Sequence, residues 1–118
     1  MTTTRDLAQA FAALRKEGRH DEAGERYWSP DIVSIEAMEG PMHVCRGLLA
    51  VKAKGDWWNA NHEVNGGTTD GPFVNGDQSA LRFTMDITEK ATGKRVQMEE
   101  IGLSTVRDGK VVEERFFY

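Results

Sequence analysis

The chain is poor in the features that mark several protein classes. Its single cysteine, Cys45, excludes an intrachain disulfide framework and makes a reducing cytoplasm the expected setting. The three histidines, His20, His43 and His62, form no i,i+4 pair and have no Asp or Cys set at metal-ligand spacing, so no metal is expected. No glycine-rich loop cradles a phosphate, so a nucleotide cofactor is not expected either. No apolar run reaches the roughly 20 residues of a membrane span. The opening MTTTRDLAQAFAALRKEG is too charged for a secretory leader. A net charge of −4 leaves no basic surplus for nucleic acid. What remains is one domain over residues 1–118, large enough to bury a core without staples.

Helical signals fill the first half. Thr3 and Asp6 have the spacing of a capping box, Leu7, Phe11 and Leu14 follow at helical intervals, and Gly18 is the stop. A second helix is predicted from Asp21, as its cap, to about Trp28, ending before Ser29-Pro30; Ala23, Tyr27 and Trp28 anchor it. DIVSIE, residues 31–36, reads as a strand with Val33 and Ile35 on one face and Ser34 and Glu36 on the other. After a loop over residues 37–45, Gly47 opens a third helix with Leu48, Val51, Gly55 and Trp58 along one stripe. Gly55 there serves close packing or room.

Strand signals fill the second half. Residues 62–69 read as a strand weakened by Gly66-Gly67, Asp70-Gly71-Pro72 as a break, Phe73-Val74 as a new strand, and Asn75-Gly76 as a hairpin turn. Ser79, Leu81, Phe83, Met85 and Ile87 then alternate with Ala80, Arg82, Thr84 and Asp86, the cleanest period of two in the chain. The last hairpin, residues 94–118, turns at Arg107-Asp108-Gly109. A two-residue Asp108-Gly109 turn pairs Arg107 with Lys110; a three-residue loop with a bulge pairs Val106 with Lys110, and is favoured. The favoured register sets Ser104 opposite Val112, Gly102 opposite Glu114 and Glu100 opposite Phe116. Met98, Glu100, Gly102, Ser104, Val112, Glu114, Phe116 and Tyr118 then share one face. The other face carries Glu99, Ile101, Leu103, Val111, Glu113, Arg115 and Phe117, so each side is expected to be covered, the outer one by a second subunit in a homodimer. The order of elements is that of an α+β domain, with helices on one face of a curved sheet.

FAALRKEG, YWSPDIVSIE, CRGLLAVKA and TVRDGKVVEERFFY together resemble the NTF2-like superfamily, within it the SnoaL-like and ketosteroid-isomerase-like proteins. The resemblance implies a cone-shaped (cystatin-like) fold, three N-terminal helices packed in a curved, mostly antiparallel sheet with an apolar pocket at its open end. It also implies a range of functions: isomerases, polyketide cyclases, dehydratases, epoxide hydrolases, and domains that only bind or pair. The isomerase's general base falls on Glu36. Its two oxyanion donors fall on Phe11 and Gly102, neither of which donates a hydrogen bond, so ketosteroid isomerisation in the strict sense is rejected.

Three carboxylates, Glu36, Glu100 and Glu114, are expected inside the cone, where apolar walls and like charge raise a pKa toward neutrality. Glu36 is the first candidate base, with Glu114, Glu100 and Tyr118 assisting, for a cofactor-free isomerase, cyclase or lyase type of reaction on a small apolar or aromatic carbonyl compound. The bland alternatives are solvated carboxylates, or Glu114 paired with Arg82 or Arg115. The expected lining is Phe11, Trp58, Met38, Ser79, Leu81, Phe83, Met85, Met98, Gly102, Ser104 and Phe116, with Trp57 less involved and Met42 in the loop nearby. Small Ser79 and Ser104 at inward positions suit an enlarged cavity, natural or engineered. His43 reads as a proton shuttle or as an exposed loop residue, and Cys45 lacks a nearby His partner. Arg82 and Asp86 lie on the wrong face for an epoxide hydrolase. The alternative to an enzyme is a non-catalytic ligand-binding or dimerisation module.

Overall fold

A computed structural model describes residues 3–118. The elements run α1 (Thr4–Lys16), α2 (His20–Tyr27), β1 (Trp28–Ile35), β2 (Val44–Arg46), α3 (Leu48–Asn61), β3 (His62–Asn75), β4 (Gln78–Glu89), β5 (Arg95–Arg107) and β6 (Lys110–Phe117). The six strands form one curved, unclosed sheet in the order β2-β1-β6-β5-β4-β3. Among the described residues only the β1–β6 pair is parallel. The three helices lie on one face, the α+β arrangement expected.

The start and stop of α1 are set by its caps. The Asp6 amide donates to Thr3 Oγ1 at 3.1 Å and the Asp6 carboxylate accepts from the Thr3 amide, closing the capping box. At the other end Gly18 takes a φ of 75°, and the amides of Gly18 and Arg19 reach back to the carbonyls of Arg15 and Leu14, a Schellman closure. Leu7, Phe11 and Leu14 are buried and, with Ala23, Ile32, Leu81, Phe83, Val106 and Val111, build the core. The closure changes α2. It starts at His20 with Arg19 at the cap and no capping side chain, instead of opening on Asp21, and Trp28 is already extended and begins β1.

In β1, Ile32 and Ser34 are buried against the helices, and Ser34 and Glu36 share a face as expected. The loop after it contains an unexpected short strand, β2, antiparallel to β1. α3 buries only Val51. Leu48 of its expected stripe is exposed, and a Cβ added to Gly55 would meet nothing within 4 Å, so close packing is not that glycine's role.

The break predicted at residues 70–72 is instead an irregularity within one long edge strand, β3, where Pro72 needs no ladder donor. The β3–β4 turn is Gly76-Asp77, one residue later than expected, because Asn75 pairs with Gln78. β4 keeps its alternation: Ser79, Leu81, Phe83 and Ile87 are buried and Met85 half-buried.

The terminal hairpin departs most from expectation. Arg107 pairs with Lys110, and Asp108 and Gly109 both have positive φ, 52° and 74°. This is the two-residue type I′ turn, whose twist matches the strands, and not the three-residue loop. Such a turn alone would set the odd-numbered residues of β6 against the helices throughout. A bulge prevents it. Val106 pairs with Val111 but Thr105 pairs with Glu113, so Val112 is an extra residue. Beyond the bulge Ser104 faces Glu114 and Gly102 faces Phe116, two positions from the predicted register but with the predicted face restored. Val111, expected on the outer face, is therefore fully buried, and Val112, expected inside, lines the outer surface with Val33.

Candidate functional site

The inner face of β4, β5 and β6 meets α1 at a small cavity of about 10 Å³, lined by Phe11, Arg15, Leu81, Phe83, Gly102, Ser104, Glu114 and Phe116. That is room for roughly one water molecule. Two rings close it. A Cβ added to Gly102 would lie 3.1 Å from Phe83 and 3.2 Å from Phe116, so the missing side chain is what admits both rings. Six of the expected lining residues, Phe11, Leu81, Phe83, Gly102, Ser104 and Phe116, meet here.

Arg15 was absent from the expected set, and it dominates the cavity floor. It sits four residues after Phe11 and so on the same helical face. Its guanidinium lies 4.8 Å from the Phe11 ring centre and 5.9 Å from that of Phe83. One terminal nitrogen donates to Glu114 at 2.9 Å, and the other contacts His20 Nδ1 at 3.2 Å. Glu114, 4% exposed, also accepts from the Trp28 indole at 3.0 Å. Its partners are thus Arg15 and Trp28, not Arg82 or Arg115. Gly24 makes the indole's position available, because a Cβ there would fall 2.7 Å from the Trp28 ring. The His20 ring lies edge-on to Phe83, with part of the residue open to solvent; burial first, then the Arg15 charge, lower its pKa to about 4. At neutral pH His20 is uncharged, and Nδ1 accepts from Arg15.

A second cluster stands at the mouth. Lys54, one turn of α3 beyond Val51, donates to Ser34 and lies 3.3 Å from Glu36. Its ammonium is 5.4 Å from the Phe116 ring centre. The Glu36 amide donates to the His43 carbonyl at 2.8 Å, which fixes the chain just beyond β1. Tyr118 accepts from the Met38 amide at 3.3 Å, and burial, with Glu36 and Glu100 adding to it, raises its pKa, so it keeps its proton at neutral pH. Glu100 faces this cluster from β5. Burial first, then the Glu36 carboxylate, push its pKa up to about 7, against the opposing charges of Arg15 and Lys54. Among the described residues those cations pair with Glu114 and Glu36, leaving Glu100 without an ion-pair partner.

The remaining expected residues lie elsewhere. Trp58 stacks on His62 with ring centres 4.5 Å apart, and Trp57 is half exposed beside it; neither reaches the cavity. Met38 is 69% exposed. Met85 and Met98 are cross-strand partners, as are Ser79 and Ser104, but only Ser104 lines the cavity and the serines do not enlarge it. Met42 accepts from the Cys45 thiol through its carbonyl. Arg82 and Asp86 pair with Glu99 and Arg95 on the exposed side. No group of three metal-ligating side chains occurs among the described residues. A larger open cleft, about 530 Å³, lies on the outer sheet face between Asp31, Val33, Thr105, Lys110, Val112 and Glu113. Size alone would favour it, but it is an open groove on the sheet's outer face, whereas the buried and half-buried carboxylates Glu114, Glu36 and Glu100 gather on the inner side.

Helices held against one face of a curved, unclosed sheet, with an interior opening beside β1, β5 and β6, define the NTF2-like (cystatin-like) fold. Within it the chain belongs to the SnoaL-like domain family, whose model matches residues 1–118. It is similar to a crystal structure from Mesorhizobium loti provisionally named a SnoaL-like polyketide cyclase, with carbohydrate phosphatase appended. The two are 54% identical over 99% of this chain and 100% of that one, with a TM-score of 0.97. A Catenulispora acidiphila protein with a ketosteroid isomerase-like fold, in complex with trimethylamine, is 17% identical over 98% of this chain and 87% of that one, TM-score 0.75. A Pseudomonas putida protein provisionally named a polyketide cyclase is 17% identical over 100% of this chain and 92% of that one, TM-score 0.73. At that identity the last two show the fold alone. No curated protein matches. No helix among the described residues is long and apolar enough to cross a membrane.

Proposed function

We propose that this chain is a cofactor-free acid–base enzyme of the isomerase, cyclase or lyase type, acting on a small apolar or aromatic carbonyl compound at the mouth of the cone. The observation that carries the reading is Glu100, a carboxylate without an ion-pair partner whose pKa of about 7 stands beside a paired Lys54–Glu36 and the Tyr118 hydroxyl. A base is most effective when its pKa is near the working pH. Glu100 removes a proton from the carbon next to a carbonyl and returns it at a neighbouring position. Lys54 and Tyr118 supply donors, and Glu36, the first candidate from sequence, pairs with Lys54 and raises the pKa of Glu100. Glu114, tied to Arg15 and Trp28, holds the interior together. The polyketide-cyclase name of the Mesorhizobium loti relative fits this class of chemistry.

The protein works in this reading as a cytoplasmic homodimer through the outer sheet face. Ile101 and Phe117 are cross-strand partners there and both are exposed. Light scattering at micromolar concentration tests this, and a monomer would refute it. A second reading is a ligand-binding or pairing module without catalysis, and the nearly filled interior favours its pairing form. Carbon-13 NMR titration of the Glu side chains, with Glu100→Gln for assignment, separates the two. A Glu100 midpoint close to 7 is expected; an ordinary carboxylate midpoint would remove the enzyme reading.

A further inference from the structure

We propose that Arg15 is the oxyanion donor of this pocket: its Nε–H binds the oxygen of an enolisable carbonyl compound once the Phe116 ring swings aside. The inference rests on the acid–base reading above and adds to the donors at the mouth, Lys54 and Tyr118, one inside the cavity for the charge that forms. When the base takes the α-proton, the C–H electron pair becomes a carbon–carbon double bond. The carbonyl π pair then moves onto oxygen, and the proton resides on the Glu100 carboxylate until it returns to carbon. An oxygen so charged needs donors already fixed in place.

Four observations place that donor on Arg15. The side chain lines the cavity beside Phe11 and Gly102, positions that supply no hydrogen-bond donor of their own. Its Nε is buried with no hydrogen-bond partner, a condition that costs free energy and is uncommon in interiors unless the group has a use. Both terminal nitrogens are engaged, by Glu114 and by a neutral His20, so the guanidinium is oriented and Nε is its one nitrogen that makes no hydrogen bond. The Phe11 and Phe83 rings hold its plane.

Phe116 is the partition. Its half-buried ring lines the cavity on one side and lies beneath Lys54 on the other. The space behind it admits one water, so a ring-bearing ligand enters only when the side chain changes rotamer. The donors on its two sides, Arg15 within and Lys54 at the mouth, are alternatives that mutation distinguishes.

The probe is 4-nitrophenol, whose phenolate absorbs in the visible and mimics an enolate oxygen on an apolar ring. Added to the whole protein at pH 6, it is expected to show raised phenolate absorbance, more so with Phe116→Ala. Arg15→Lys keeps a cation for Glu114 and removes the Nε donor, and is expected to weaken phenolate binding roughly tenfold or more, as for a charged hydrogen bond. The double variant Arg15→Met/Glu114→Gln, which leaves no unpaired buried charge, should behave likewise, with thermal unfolding confirming that each variant is folded. Absence of phenolate binding in both wild type and Phe116→Ala overturns the proposal. So does loss of the signal in Lys54→Met with Arg15→Lys unaffected, an outcome that leaves the acid–base reading standing. An ordinary Glu100 midpoint removes that reading whatever Arg15 does.

Discussion

Replacing Glu100 by Gln removes one ionisation and leaves the shape of the neutral acid nearly unchanged. In the folded chain the Glu100 pKa rises from the ordinary 4.5 to about 7, because burial and Glu36 disfavour its charge. The native state therefore holds a proton that the unfolded chain has released between those values, and stability falls as pH rises through that window. At about 1.4 kcal/mol per pH unit the loss above pH 7 reaches about 3 kcal/mol, an upper bound because the residue keeps some solvent contact. The variant escapes this loss. Below pH 4.5 the two proteins should unfold together, and at pH 8 the variant should be more stable by up to that amount, or roughly 10 °C in Tm for a chain of this size. His20 acts in the opposite sense. Its pKa falls from 6.5 to about 4, so it stabilises the fold above 6.5 and withdraws that support as pH drops toward 4. Because His20 is common to both proteins, the difference between their urea midpoints across pH 4 to 8 isolates Glu100. Parallel curves would show that Glu100 is solvated, and the proposed base would lose its physical foundation.

Two further outcomes test the frame around the site. Gly24→Ala puts a methyl group 2.7 Å from the Trp28 ring, so the indole must move and release Glu114. The expected cost is about 2 kcal/mol in chemical denaturation with a shifted Trp emission, and an unchanged spectrum would contradict it. Asp108→Gly relieves a positive φ at the first position of the type I′ turn and should raise stability by a few tenths of a kcal/mol or be neutral, whereas Asp108→Val should lower it by about 1 kcal/mol or more. Equal midpoints for the glycine and valine variants would exclude the turn assignment.

Most of the frame was legible because local rules set it. The capping box at Thr3, the stop at Gly18 and the alternation of β4 each depend on residues a few positions apart. The hairpin turn was less accessible, since Asp-Gly suits two loop lengths and the choice depends on a bulge that no short pattern announces. Among the candidate residues, Glu36, Glu100 and Glu114 were legible as inward carboxylates. Their partners were not, because Arg15 and Lys54 reach them across 99 and 18 residues of sequence. A signal for both existed: Arg15 follows Phe11 by four residues and Lys54 follows Val51 by three, so each shares a helical face with a core residue. Cations in the last turn of a helix suit its dipole equally well, and that ordinary explanation hides the Arg15 signal.

The extra residue at Val112 separates two halves of the hairpin that obey opposite phases. Between the tip and that point odd-numbered side chains of β6 look inward, and past it even-numbered ones do. A protein engineer who grafts a new tip onto this scaffold must therefore move the segment from Arg107 through Val112 as one cassette. Closing the bulge without removing a residue, so that Val112 paired with Thr105, would shift the following strand by half a pleat, delivering Arg115 and Phe117 to the interior while Glu114 and Phe116 turned to solvent.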